Sequence, residues 1–156
     1  MTMKEFLKEI EVTYNNYFPA SKIFLNVSNR YRNYDIYISC FLANNQSELS
    51  GKYWENDMFN IRFTIDTGTN ETLTDASQIP DNLKLECYSK SYHIKPVGYM
   101  AFGSRRLTHR KTQGDAKKIL KSLDRFFEKL YNSIKTDIEA NLIHDSYKSL
   151  VSQKIN

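Results

Sequence analysis

The chain has 156 residues, a formal net charge of +4 and 40% apolar residues. A chain of this length buries roughly 70% of the surface that its unfolded form exposes, so a single domain can build a core without disulfides or metals. Its 20 Phe and Tyr and its eight Gly and Pro exclude a disordered, low-complexity or collagen-like chain.

No apolar run approaches the ~18 residues of a membrane span, and the amino terminus lacks the apolar stretch of a signal peptide. We therefore expect no membrane contact and a cytoplasmic location, which would be the host cytoplasm for a viral protein. The abundance of Lys, Asn, Ile and Tyr is typical of an AT-rich genome and suggests a phage or mobile element as the source.

The cysteines and histidines bear on redox chemistry and metal binding. Cys40 and Cys87 fall at inward positions of predicted strands, so we expect two core thiols rather than a disulfide. His93, His109 and His144 are far apart in the sequence and have no partner at ligand spacing. We therefore predict no metal and no cofactor.

The first element is a predicted amphipathic helix. Phe6, Ile10 and Tyr14 recur every four residues, which predicts a helix over Thr2–Tyr17 that ends at the Phe18-Pro19 pair. We expect this helix to cover one face of a sheet.

Four stretches of alternating apolar and polar residues then predict the half-buried strands of an antiparallel sheet. They are Ile23–Val27, Ile36–Leu42, Phe59–Ile65 and Leu83–Cys87. The first two are joined by a segment short enough for a hairpin. A fifth strand is predicted around Tyr92–Lys95, or at Tyr99–Phe102.

The rest of the chain has no Gly or Pro after Gly114, and its apolar residues step by four and three. This predicts a helical segment over residues 112–153, with Thr112 as the N-cap and Asp115 at the third helical position. One straight helix of that length would run about 60 Å, longer than a globule of this size. We therefore expect a kink or a second helix near His144.

These elements predict an α+β fold in one domain, residues 1–156. It comprises an N-terminal helix (residues 1–18), a four- to five-stranded antiparallel sheet with long loops (22–102), and a long, kinked C-terminal helical segment packed on one sheet face.

Most of the positive charge lies in one stretch. Arg105–Arg125 carries eight basic and two acidic residues, and cations lie at the predicted helix start, where the helix dipole disfavours them. Together with the N–H groups around Gly114 they would bind an anion. We predict that the following residues contact a phosphate backbone: Arg105, Arg106, His109, Arg110, Lys111, Lys117, Lys118, Lys121 and Arg125.

The alternative for this stretch is a solvated helix face. Asp124 and Glu128 are spaced so that they could pair with Lys121 and Arg125, and charge runs are usually solvated. A second and weaker candidate for binding nucleic acid lies at the predicted hairpin, where Arg30, Tyr31 and Arg32 combine cations with an aromatic ring.

Motifs for catalysis are weak. Asp66-Thr67-Gly68, after an apolar strand, resembles the D-T-G signature of retroviral-type aspartic proteases, and the resemblance implies a dimer in which two copies of Asp66 share one proton. The resemblance covers only the turn and the strand that precedes the turn, and the sequence lacks the Gly-rich flap of these proteases. Gly98 and Gly103 have P-loop spacing, but the Lys and hydroxyl that a P-loop needs are absent. We predict no catalytic residue.

The favoured function is a small non-enzymatic protein that contacts nucleic acid or a nucleoprotein machine and recruits or blocks it sterically and electrostatically. The first alternative is a protein–protein interaction module, either an inhibitor of a host protein or a homo-oligomer formed through the C-terminal helix. The aspartic-protease-like enzyme is the third.

Overall fold

A computed structural model describes residues 1–21, 23–30, 33–40, 59–94, 103–143 and 151. The elements in chain order are α1 (Met3–Asn15), β1 (Ile23–Arg30), β2 (Asn33–Cys40), β3 (Phe59–Asp66), β4 (Leu83–His93), β5 (Ser104–Arg106), β6 (Thr112–Gly114) and α2 (Ala116–Glu139). The predicted α+β class is confirmed. No helix in the described ranges is long and apolar enough to cross a membrane.

The sheet is built from antiparallel pairs in the order β1-β2-β3-β4, and the far edge of β4 pairs with both β5 and β6. Arg30 lies opposite Asn33, which confirms the predicted hairpin between β1 and β2. β5 and β6 follow one continuous register along β4, so they are the two ends of a single interrupted strand. We call the residues between them, 107–111, the linker.

The predicted fifth strand at Tyr92–Lys95 is wrong as a separate element, because Tyr92 and His93 are the end of β4. A bulge explains the error. Phe63 lies opposite Cys87 while its neighbour Arg62 lies opposite Ser89, so β4 has one extra residue. A bulge breaks the alternation of inward and outward side chains that marks a strand in sequence. The Tyr99–Phe102 alternative lies outside the described residues.

Both helices pack on the same face of the sheet and share its core. The prediction of α1 is confirmed: Thr2 caps it in a capping box with Glu5, and its apolar stripe is buried. The Tyr14 ring meets the Phe127 ring of α2 edge-on, with 5.2 Å between the centroids. Cys40 and Cys87 are free thiols buried in this core, as predicted.

The predicted start of the second helix is wrong. α2 begins at Ala116, with Asp115 as its N-cap, whose Oδ1 accepts a hydrogen bond from the Lys118 N–H at 3.0 Å. Thr112, the predicted N-cap, belongs to β6 instead. The edge of β4 supplies backbone partners for residues 112–114, so this segment satisfies its backbone groups in the sheet.

The helical segment predicted over residues 112–153 is interrupted. The helix ends at Glu139 after 24 residues, about 36 Å, and Asn141 adopts a left-handed φ of 57°, a common way to end a helix. Ile143 then returns to the sheet and forms a bridge with Ile94. The kink or second helix predicted near His144 lies outside the described residues, apart from Val151, which is helical.

Candidate nucleic-acid interface

A groove of about 580 Å³ runs between α2 and the chain that precedes it. Six of the described residues that line it are Lys or Arg, and none of them is Asp or Glu. We call it the basic groove. Its lining consists of Thr108, His109, Arg110, Lys111, Thr112, Gln113, Lys118, Lys121, Ser122, Arg125, Phe126 and Lys129.

One wall of the basic groove is a stripe of four cations on α2. Lys118, Lys121, Arg125 and Lys129 are spaced by three, four and four residues, which keeps them on one face of a helix over about 16 Å. All four are exposed. Among the described residues, no carboxylate forms an ion pair with any of them.

The carboxylate that could have neutralised this stripe contacts a different element. Asp124 Oδ1 accepts a hydrogen bond from the Tyr17 hydroxyl at 3.0 Å, so Asp124 links α2 to the residues that follow α1. In the solvated-face alternative, Asp124 and Glu128 are spaced so that they could pair with Lys121 and Arg125. Within the described part of the chain neither forms such an ion pair.

The opposite wall is formed by the linker and β6. The linker is anchored in the core at Leu107, whose N–H donates to the Lys90 carbonyl at 2.9 Å. It is also fixed to α2, because Lys129 Nζ donates to both the carbonyl and the hydroxyl of Thr108, at 3.1 and 2.8 Å. Lys111 pairs with Glu86 at 3.5 Å, but both side chains are largely exposed, so this ion pair is weak.

The floor of the groove is a chain of polar side chains. The hydroxyls of Thr112 and Ser122 lie 2.8 Å apart, and Ser122 Oγ lies 3.0 Å from Nε2 of His109. The imidazole packs edge-on against Phe63 and Phe126, with ring centroids 5.5 and 5.7 Å away. The two walls therefore meet at the floor.

The electrostatic environment keeps His109 neutral at pH 7. Burial lowers the pKa of its imidazole below the ordinary value, and the nearby ammonium groups of Lys90 and Lys129 lower it further. Both effects disfavour the charged form. The positive charge of the groove at neutral pH therefore comes from its Lys and Arg side chains.

Gly114 makes room for one of these cations. A Cβ at this position would lie 2.5 Å from Cδ and 3.1 Å from Cβ of Lys118. Because glycine has no side chain, the aliphatic part of Lys118 can lie directly against β6, and its ammonium group can reach the basic groove.

The structure separates the nine predicted site residues into two groups. Six of them line the basic groove: His109, Arg110, Lys111, Lys118, Lys121 and Arg125. Arg105, Arg106 and Lys117 are not in its lining. Arg106 and Lys117 are exposed, and Arg105 contacts the far half of α2.

Arg105 takes part in a buried polar cluster. Its Nη2 and Nε donate to the two carboxylate oxygens of Asp137 at 2.9 and 3.1 Å, and Asp137 is only 3% exposed. The Tyr92 hydroxyl donates to Asp137 Oδ2 at 2.6 Å and lies 2.6 Å from the Ser133 hydroxyl. This bidentate pair with a buried carboxylate holds β5 and β4 against α2.

Sequence reasoning missed Lys129, although a signal for it was present. The predicted residues Lys117, Lys121 and Arg125 are spaced at intervals of four. The stripe in the structure begins at Lys118, and the same interval leads from Arg125 to Lys129.

The helix start differs in detail from the predicted anion receptor. The N–H groups around Gly114 were expected to bind an anion, and Gly114 lies opposite Leu83 in the sheet. The carboxylate of Asp115 already accepts from the first turn of α2, and a negative N-cap satisfies the helix dipole. The cations therefore line a groove along the side of α2.

The second candidate for binding nucleic acid lies at the hairpin between β1 and β2. Arg30 is the last residue of β1, and Tyr31 and Arg32 lie outside the described residues.

Asp66 Oδ1 accepts from the Gly68 N–H at 2.8 Å, and Gly68 has a φ of 70°, so Asp66 stabilises a tight turn. In the described ranges no three His, Cys, Asp or Glu side chains are grouped as metal ligands.

Comparisons with known proteins yield no relative. No family model matches the chain, and neither a curated protein nor a solved structure matches it significantly.

Proposed function

We propose that this protein is a small, non-enzymatic nucleic-acid-binding protein that holds a phosphate backbone in the basic groove. One observation carries the proposal: six cations from two different elements converge on one groove, and none of the described lining residues is a carboxylate. A protein that occupies a backbone in this way recruits, shields or blocks the nucleic acid sterically and electrostatically.

The arrangement of the cations supports a linear polyanion over a single phosphate. The α2 stripe extends for about 16 Å, and Arg110 and Lys111 add charge on the facing wall. Each phosphate that a Lys or Arg neutralises releases condensed counterions, so binding of this kind is sequence-independent and weakens steeply with salt.

A charge-removal variant tests the proposal. In the triple variant Lys118→Gln, Lys121→Gln, Arg125→Gln, the slope of log affinity against log salt should become shallower by about 2 to 3, because three phosphate contacts are lost. At low salt we expect a loss in affinity of tenfold or more. Fluorescence anisotropy with a labelled oligonucleotide over a salt series measures both.

The matched control removes three exposed cations outside the groove: Lys4→Gln, Lys8→Gln, Lys135→Gln. It has the same net charge as the groove variant and should keep most of the wild-type affinity. An equal loss in both variants would mean that binding depends on overall charge and would contradict a groove site. If the wild type binds no nucleic acid at low salt, the proposal fails and the protein-partner alternative becomes the better one.

A further inference from the structure

The two facing walls of the basic groove indicate which form of nucleic acid it accepts. We infer that the groove binds single-stranded nucleic acid in preference to a duplex, with the phosphodiester backbone lying on its floor. This inference depends on the proposed function and makes it more specific.

α2 is not placed to enter the major groove of a duplex. The major groove is about 12 Å wide and admits one α-helix, which is itself about 10–12 Å across. One side of α2 is buried against the core, and its cationic side is flanked by the chain that precedes it. The hydroxyls of Thr112 and Ser122 are 2.8 Å apart, and Lys129 is bonded to Thr108 at 2.8 Å. The cation stripe therefore faces the linker and β6 across the groove.

The cations lie on both sides of the floor. A backbone lying on the floor meets Lys118, Lys121 and Arg125 on one side and Arg110 on the other, with the Ser122 hydroxyl beneath it. Duplex DNA is straight over any length comparable to the groove, because its persistence length is about 150 base pairs. It can present only an outer row of phosphates to the rim, whereas a flexible single strand can follow the floor.

The polar groups of the lining are poorly placed to read bases. Gln113 is the only amide among the described lining residues, and its Nε2 donates to Asn82 Oδ1 at 2.8 Å. The imidazole of His109 is bonded to Ser122 and packed between aromatic rings. The uncharged side chains of the lining thus offer little hydrogen-bonding specificity to base edges, so we expect a strand to bind with weak sequence preference.

The test compares affinities of the wild-type chain for single-stranded and double-stranded probes. A labelled 12-nucleotide oligothymidine and a 12-nucleotide oligouridine are titrated at low salt beside a hairpin duplex with an equal number of phosphates. We expect at least one single strand to bind tenfold or more tighter than the duplex, and tighter binding of either DNA or RNA supports the inference. The triple groove variant should lose this difference, and the Lys4, Lys8, Lys135 control should keep it.

The remaining outcomes are distinguishable. A duplex that binds as tightly as the single strands, or tighter, overturns this inference and leaves the proposed function standing, because the groove would then hold a duplex at its rim. If no probe binds, the proposed function and this inference fall together.

Discussion

At the scale of single residues, one side chain links the groove to the core, and another holds the far half of α2 to the sheet. His109 joins the polar floor to the aromatic rings of Phe63 and Phe126. Asp137 holds Arg105 and Tyr92 at the other end of the helix. Neither contact could be predicted from the sequence, because each joins residues that are distant along the chain and only the packing of α2 brings them together.

His109 should make stability depend on pH. Its pKa in the folded chain is lowered, so as the pH falls the unfolded chain, with an ordinary His pKa of about 6.5, binds the proton first. The free energy of unfolding should therefore decrease as the pH falls through this range. The variant His109→Gln should lose less stability than the wild type between pH 7.5 and 5.5, measured by urea unfolding.

The variant Ser122→Ala serves as the control for His109, because it removes the hydrogen-bond partner but keeps the imidazole. It should retain a pH dependence close to that of the wild type. If His109→Gln shows the full wild-type pH dependence, then the burial of the imidazole is not its source.

Asp137 should be important for stability and unimportant for nucleic-acid binding. Asp137→Ala removes an acceptor from the Tyr92 hydroxyl and the partner of Arg105, and should lower the free energy of unfolding by about 2–3 kcal/mol. Asp124→Ala, which removes one bond to the less buried Tyr17, should cost about 1 kcal/mol. Equal costs in urea unfolding would contradict a special role for the buried cluster.

At the scale of elements, the periodic segments were predictable and the interrupted ones were not. The stripes of α1 and α2 and the alternation in β1, β2 and β3 follow directly from their apolar spacing. β5 and β6 have three residues each, too few for any period, and they form only because the edge of β4 supplies backbone partners. The start of α2 was predicted wrongly for the same reason, because the capping pattern assigned residues 112–114 to the helix and they form β6 instead.

The contact between β6 and α2 at Gly114 should affect binding more than stability. In Gly114→Ala the added Cβ would clash with Lys118 and displace this flexible side chain from the groove wall. We expect the salt slope to become shallower by at most about 1, as for the loss of one cation. The anisotropy titration measures it beside Lys118→Gln, which should give the same change or a larger one.

Gly103→Ala is the matched control, because its Cβ would also be crowded, at 3.1 Å from the Ile94 side chain, but outside the groove lining. Its salt slope should equal that of the wild type. An unchanged slope in Gly114→Ala as well would mean that Lys118 reaches the groove without the space at Gly114.

At the scale of the whole molecule, the sequence indicated where the charge lies but not its arrangement. Arg105–Arg125 is continuous along the chain, yet its ends have different roles. Arg105 holds the sheet to α2, and the residues after it form two facing walls. Lys129, outside the predicted stretch, completes one wall. These different roles arise because the linker returns the chain to the edge of β4. No local pattern in the sequence predicts that return.

The single register that β5 and β6 share on β4 has a kinetic consequence. Both ends of the linker are held by the same strand, and its middle is bonded to α2 through Lys129. The two walls of the groove are therefore in place before any ligand arrives, and binding costs little chain entropy. A polyanion should then associate at a rate set by diffusion and electrostatic attraction, with no slower conformational step.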